Sequence, residues 1–247
     1  MSTPVFPENI LVLDIETVSV AAGYDALSPE WQQLWKQKMK FWTDKLPDPD
    51  MALLLPQLYQ EKAAIYAEFG KVVCISCGVF TRQADGWQLK VKTMSHTSEA
   101  DLLEAFAALV QYQARKSRDL VFCGHNIREF DMPYLCRRML VNGMTIPAVM
   151  NFQAAKPWEL PLLDTLQLWK FGDVKHFSSL HLLATLLGVP TSKDDIDGAM
   201  VGKIYWEEQD LPRIAAYCAK DVVTTAQLLL RFKGMPLLDA ADVIFVG

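Results

Sequence analysis

The segment I-L-V-L-D-I-E-T, residues 10–17, places two carboxylates, Asp14 and Glu16, in a run that is otherwise almost wholly apolar. An apolar run without alternation reads as a strand buried on both faces, at the centre of a covered sheet; residues 9–15 are assigned to it. Positions i and i+2 of a strand share a face, so both carboxylates point to one side and can reach one cation. An unpaired buried carboxylate is costly, so whatever folds around this strand must offer its charge a partner. Two more acids repeat the placement. Asp131, in C-G-H-N-I-R-E-F-D-M-P-Y-L, and Asp221, in I-A-A-Y-C-A-K-D-V, each border a hydrophobic stretch. Four carboxylates so placed suggest a hard cation holding them together, and with it a metal-dependent enzyme acting on phosphate esters.

The rest of the chain supplies an α/β frame. Residues 71–80 and 87–94 read as strands either side of a turn-like Q-A-D-G. Ser98 caps an expected helix over 99–115, with Leu102, Leu103, Phe106, Leu109 and Val110 on one face. A strand at 119–124 leads to a helix over about 131–142. A weaker strand at 161–165 precedes helices near 177–187 and 212–232, the last started by Asp210 and Pro212. Three strands followed by α/β alternation predict a mixed five-stranded sheet flanked by helices, within one domain spanning residues 1–247.

Residues 24–70 interrupt this order and read as a helical insertion after strand 1, too long for an ordinary connection. Trp31, Trp35, Met39 and Trp42 recur at helical spacing, and a second helical pattern covers about 56–68. The aromatic stripe is expected to pack the insertion onto the body; with Lys36, Lys38 and Lys40 interleaved, a stacking platform for single-stranded nucleic acid is the alternative.

Composition narrows the class. With 51% apolar residues among 247 the chain can fill a core, yet no window is long and apolar enough to span a bilayer. The N-terminus shows no secretory signal, so a cytoplasmic protein is expected. Five cysteines are read as buried free thiols: Cys74 and Cys77 fall on opposite faces of a strand, and no second pair completes a zinc site. A net charge of −5 is unusual for a nucleic-acid binder, but four acids gathered at one site, with bound cations inverting their sign, reconcile the two. The basic clusters Lys36/Lys38/Lys40, Arg115/Lys116/Arg118 and Arg137/Arg138 are expected on the solvated surface.

Each motif alone has an ordinary explanation. D-x-E pairs are often surface charges, Asp131 beside Pro133 can simply cap a helix, and Tyr217 with Asp221 share one helix face at i, i+4. In order, however, D-x-E in the first strand, F-D at a middle helix and Y-x-x-x-D in the last helix resemble the DEDD exonucleases, the superfamily of proofreading 3′–5′ exonucleases with a ribonuclease H-like fold. G-H-N at 124–126 and D-G-A-M-V before Y-C-A-K-D further resemble the predicted exonucleases related to the exonuclease domain of family B DNA polymerases. Tyrosine four residues before the final Asp, with Ala at 216, places the resemblance in the tyrosine branch.

The resemblance implies a phosphodiesterase that releases nucleoside 5′-monophosphates from the 3′ end of single-stranded or frayed DNA. It implies two divalent cations, Mg²⁺ or Mn²⁺, held by Asp14, Glu16, Asp131 and Asp221, with Tyr217 positioning the attacking water. It also implies Thr17, Asn126 and Phe130 as contacts to the terminal nucleotides; His125, beside a strand end, is read either as touching a phosphate or as structural. Asp164 is expected either to support the site or to cap a helix. An exoribonuclease and a catalytically inactive nucleic-acid-binding or scaffold protein are the alternatives.

Overall fold

A computed structural model describes residues 7–84, 86–156, 158–191 and 196–247; Asp85 of the expected Q-A-D-G turn lies outside them. Strands β1 (Ile10–Ser19), β2 (Gly70–Gln83), β3 (Gly86–Ser95), β4 (Val121–Gly124), β5 (Leu162–Asp164) and β6 (Val243–Val246) form one sheet in the order β5-β4-β1-β2-β3-β6. The pairs β1–β2 and β2–β3 are antiparallel; β1–β4, β4–β5 and β3–β6 are parallel. The sheet is thus mixed, as expected, with a sixth strand added at the β3 edge.

Alternation along β1 assigns its faces. Leu11, Leu13 and Ile15 pack on α3 (Glu99–Lys116) and α4 (Asp131–Val141) through Leu102, Phe106, Val110, Met132 and Leu135. Ile10 and Val12 point the other way, onto Val222, Ala226 and Leu229 of α8 (Leu211–Phe232). Helices therefore cover both faces, which is why β1 lacks an apolar/polar alternation. Ser98 accepts from Asp101 N at 3.3 Å to cap α3, and Asp210 from Arg213 N at 3.0 Å to cap α8. Cys74 and Cys77 fall in the cores on opposite faces, as their spacing requires. No helix among the described residues is long and apolar enough to cross a membrane.

Three expectations shift. β1 continues to Ser19, so Asp14 and Glu16 lie within it rather than at its exit; a register shift between Glu16 and Thr17 bends the pairing with β2 just past them. Arg138 leaves the surface: it is buried, donating from Nε to Glu99 Oε1 at 2.9 Å and from Nη1 to Ala67 O at 2.9 Å. The expected helix at 177–187 is shorter, α6 (Leu180–Leu186), and lies between α5 (Thr165–Lys170) and the single turn α7 (Val201–Lys203).

The segment between β1 and β2 contains α1 (Pro29–Thr43) and α2 (Met51–Lys62). Asp50 caps α2, accepting from Ala52 N at 3.0 Å, so this helix starts earlier than its apolar pattern indicates. Trp35 and Met39 have no exposed surface and form a core with Leu55, Leu58, Tyr59 and Phe69. Trp31 and Trp42 stay 42% and 43% exposed on the outer side. The stripe is therefore core along its inner edge.

Candidate active site

Parallel pairing brings the carboxyl ends of β1, β4 and β5 to one edge of the molecule, where ligands of open α/β sheets bind. β4 pairs with β1 only as far as Val12↔Cys123. Beyond that point Ile15 N–H donates to Asp131 Oδ1 at 3.2 Å, so the first residue of α4 takes the place a longer β4 would occupy. Gly124 ends β4 without a side chain because a β-carbon there would lie 2.7 Å from Ile127 Cβ and 3.0 Å from Leu13 O. This close approach turns the chain directly into His125 and Asn126.

Asp14 and Glu16 share the β1 face with Ile10 and Val12, and α8 covers that face. Cys218 of α8 reaches the same point, its thiol 3.4 Å from Asp14 O. One ligand-capable atom from each of Asp14, Glu16 and Cys218 lies within 4.8 Å of the others. Tyr217, the residue before Cys218, and Asp221, three residues after it, share a face of α8 and are joined by a side-chain hydrogen bond. Both line an open cleft with Ser179, His181 and Asp197.

The electrostatics record how close the acids are. Burial, then the charges of Glu16, Asp131 and Asp221, hold the Asp14 carboxyl well above the usual range. Glu16 is pushed up by burial, then by Asp221, Cys74 and Asp131. Burial raises Asp131 to about 7, against the lowering effect of its own backbone N–H and that of Ile15. Asp14 Oδ2 is buried with no hydrogen-bond partner. Buried carboxylates crowded this way call for a cation. The donor set suits a hard one: burial drives the Cys218 thiol well up, so it stays neutral and only oxygens carry charge.

The residues around this cluster divide by what they touch. Thr17 is buried and donates to Ala64 O at 2.9 Å, tying β1 to the turn Ala63–Ile65; Tyr134 donates to the same carbonyl at 2.8 Å. Asn126 takes a left-handed conformation with φ 64°, and its Oδ1 is buried without a partner. Phe130, half-buried, stacks obliquely on Tyr134 with ring centroids 5.3 Å apart. His125 spends both ring nitrogens within the protein: Nδ1 faces Thr165 Oγ1 at 2.9 Å and Nε2 faces Ser178 O at 2.8 Å. Burial lowers its pKa, so the ring is neutral, with Nε2–H donating and Nδ1 accepting. So arranged, it clamps the segment before α6 and has no donor left for a phosphate.

Asp164, at the end of β5, combines both expected roles. It accepts from Leu166 N at 2.9 Å to cap α5, and from Asn126 N at 2.9 Å and Arg128 N at 3.1 Å to hold the loop entering α4. Cys218 was missed by sequence reasoning. Its only signal is its place between Tyr217 and Asp221, in a row that must face β1.

Comparison with known proteins assigns a class to this fold and acidic edge. A family described as predicted 3′–5′ exonucleases related to the exonuclease domain of PolB matches residues 65–237. The chain belongs to that family. Among solved structures, the family B DNA polymerase from the hyperthermophilic archaeon Pyrobaculum calidifontis is similar, with a TM-score of 0.55 and 16% identity. The match covers 90% of this chain and 24% of the polymerase chain, so this chain spans about a quarter of that protein's length. The shared fold is ribonuclease H-like. No curated protein matches.

Proposed function

We propose that this chain is a single exonuclease domain with a helical insertion, which hydrolyses single-stranded or frayed DNA from the 3′ end and releases nucleoside 5′-monophosphates. The observation that carries the reading is the buried, unpartnered Asp14 Oδ2 among Glu16, Asp131 and Asp221. These four carboxylates would hold Mg²⁺ or Mn²⁺. Bound there, the cations would supply electrophilic stabilisation of the charge that builds on the scissile phosphate.

The remaining steps belong to the chain. Burial and the surrounding carboxylates drive the Tyr217 hydroxyl upward, so it works as a neutral phenol that orients the attacking water through hydrogen bonds rather than as a base. Asn126 presents an acceptor to the terminal nucleotide, and Phe130 a ring edge. Thr17 fixes the wall beside Glu16 through its bond to Ala64. The family match and the depth of the acids support hydrolysis over a purely binding role.

The test compares matched DNA and RNA oligonucleotides incubated with wild type and Asp14→Asn in the presence of Mg²⁺ or Mn²⁺. Release of mononucleotides from DNA by wild type, about 10²–10³-fold slower in the variant, is expected for an electrostatic centre of this kind. Preference for RNA would make it an exoribonuclease. Binding of oligonucleotides without release from either would make it a binding or scaffold protein.

A further inference from the structure

Beyond Glu16 on the same face of the sheet lies a lysine that the acidic centre does not use. Lys71 pairs across the ladder with Val18, while its neighbour Val72 packs into the core of the opposite face. Its side chain therefore projects from the face that carries Asp14 and Glu16, past the register shift. Lys71 Nζ donates to Tyr205 Oη at 3.0 Å and lies 4.8 Å and 4.9 Å from the ring centroids of Tyr205 and Trp206. Both rings are half-buried and belong to a π-type turn, Ile204–Glu208, of a kind often found at functional sites. Trp206 is itself fixed, its Nε1 donating to Ser19 Oγ at 3.2 Å on β1.

Among the described residues no carboxylate lies within ion-pair distance of Lys71, unlike Arg138 or Arg213, which have Glu99 and Glu208. An ammonium has three donors, and Tyr205 takes one. Two aromatic faces stabilise the charge without using the others. The cation is thus pre-positioned, half-buried and, among the described residues, lacks an anion, on the strand face leading away from the acidic centre.

We propose that Lys71, held by Tyr205 and Trp206, binds a phosphate of the nucleic-acid strand adjacent to the scissile bond. The inference rests on the exonuclease reading and adds a positioning residue to it. A fixed positive charge beside the acidic centre would hold a polyanion's phosphate next to the one being cleaved. A lysine fixed to the same strand pair sets that charge at a constant offset from Glu16.

The experiment measures KM and kcat across a salt series, on whichever oligonucleotide the wild type degrades, for wild type, Lys71→Gln and Lys71→Arg. Losing one phosphate contact makes the log–log salt dependence of kcat/KM shallower by about 1. Lys71→Gln is expected to raise KM about tenfold with kcat within twofold, with the shallower slope, and Lys71→Arg to restore both. Unchanged KM and slope in Lys71→Gln overturn the proposal, as does an arginine variant that behaves like glutamine. If Lys71→Gln loses its cooperative melting transition, Tyr205→Phe decides instead. It keeps the charge but frees the ammonium, and a KM equal to wild type then overturns it. An inactive wild type removes the exonuclease reading itself, whereas an active wild type indifferent to Lys71→Gln removes this inference alone.

Discussion

At Tyr217, burial and three neighbouring carboxylates act in the same direction, and all favour the protonated phenol. A hydroxyl that cannot ionise in the working range contributes geometry and hydrogen bonding only. Tyr217→Phe should therefore lower kcat by about 100-fold, the bottom of the range for positioned proton-transfer groups, and leave the metal-concentration midpoint within twofold. A titration of activity against Mn²⁺ checks both; a midpoint shifted tenfold would make the tyrosine part of cation binding. The pair was legible because i, i+4 contact on a helix is local. His125 and Arg138 were not legible in the same way. The partners that decide their roles lie 53 residues away at Ser178 for one ring nitrogen, and 39 residues away at Glu99. No local pattern encodes such pairings.

Elements differ in how far their sequences announce them. α3 and α8 carry a cap, an apolar face and a polar face in contiguous sequence, so both were read nearly to their ends. β1 was read short, since Thr17, Val18 and Ser19 lose the apolar run and the register shift there is set by β2. β6, V-I-F-V, carries no local strand signal because what makes it a strand is β3, about 150 positions earlier, and three of its four residues are exposed. The α1–α2 pair has its own core, built on Trp35, whose Nε1 donates to Leu55 O at 3.1 Å and whose ring meets Tyr59 and Phe69 edge-on. Trp35→Ala should cost about 3–5 kcal/mol, and because that core is separate from those on the sheet, the loss should be felt locally first. Limited proteolysis is expected to cut the variant between α1 and α2 while the sheet resists; simultaneous loss of both would merge the two cores into one cooperative unit.

For the whole molecule, the acidic edge sets stability against charge. Asp14, Glu16 and Asp131 all titrate above their ordinary values in the metal-free fold. A carboxylate whose folded pKa is raised adds stability below its unfolded value, and that stability is lost as pH rises through the folded value. Here the window runs from about 4 to about 7 for Asp131, at about 1.4 kcal/mol per unit. The metal-free protein is therefore expected to melt at lower temperature at pH 8 than at pH 5.5, and Mn²⁺ to raise Tm more at pH 8, where the carboxylates are charged. Calorimetry with and without chelator at both pH values measures this. Equal metal-induced shifts would disconnect cation binding from these groups. The same crowding would let a chain of net charge −5 act on a polyanion: part of its negative charge is gathered where cations would reverse it.

Where β4 stops, a main-chain amide of the central strand leaves the ladder and attaches to Asp131. On its β4 side the hydrogen-bonded backbone of β1 thereby ends in an ionisable group. An amide proton shared with a carboxylate changes its resonance when that carboxylate gains a proton or engages a cation. The ¹H–¹⁵N signal of Ile15 is thus an intrinsic gauge of the state of the site, placed in the most buried strand of the molecule and readable with no label near the substrate.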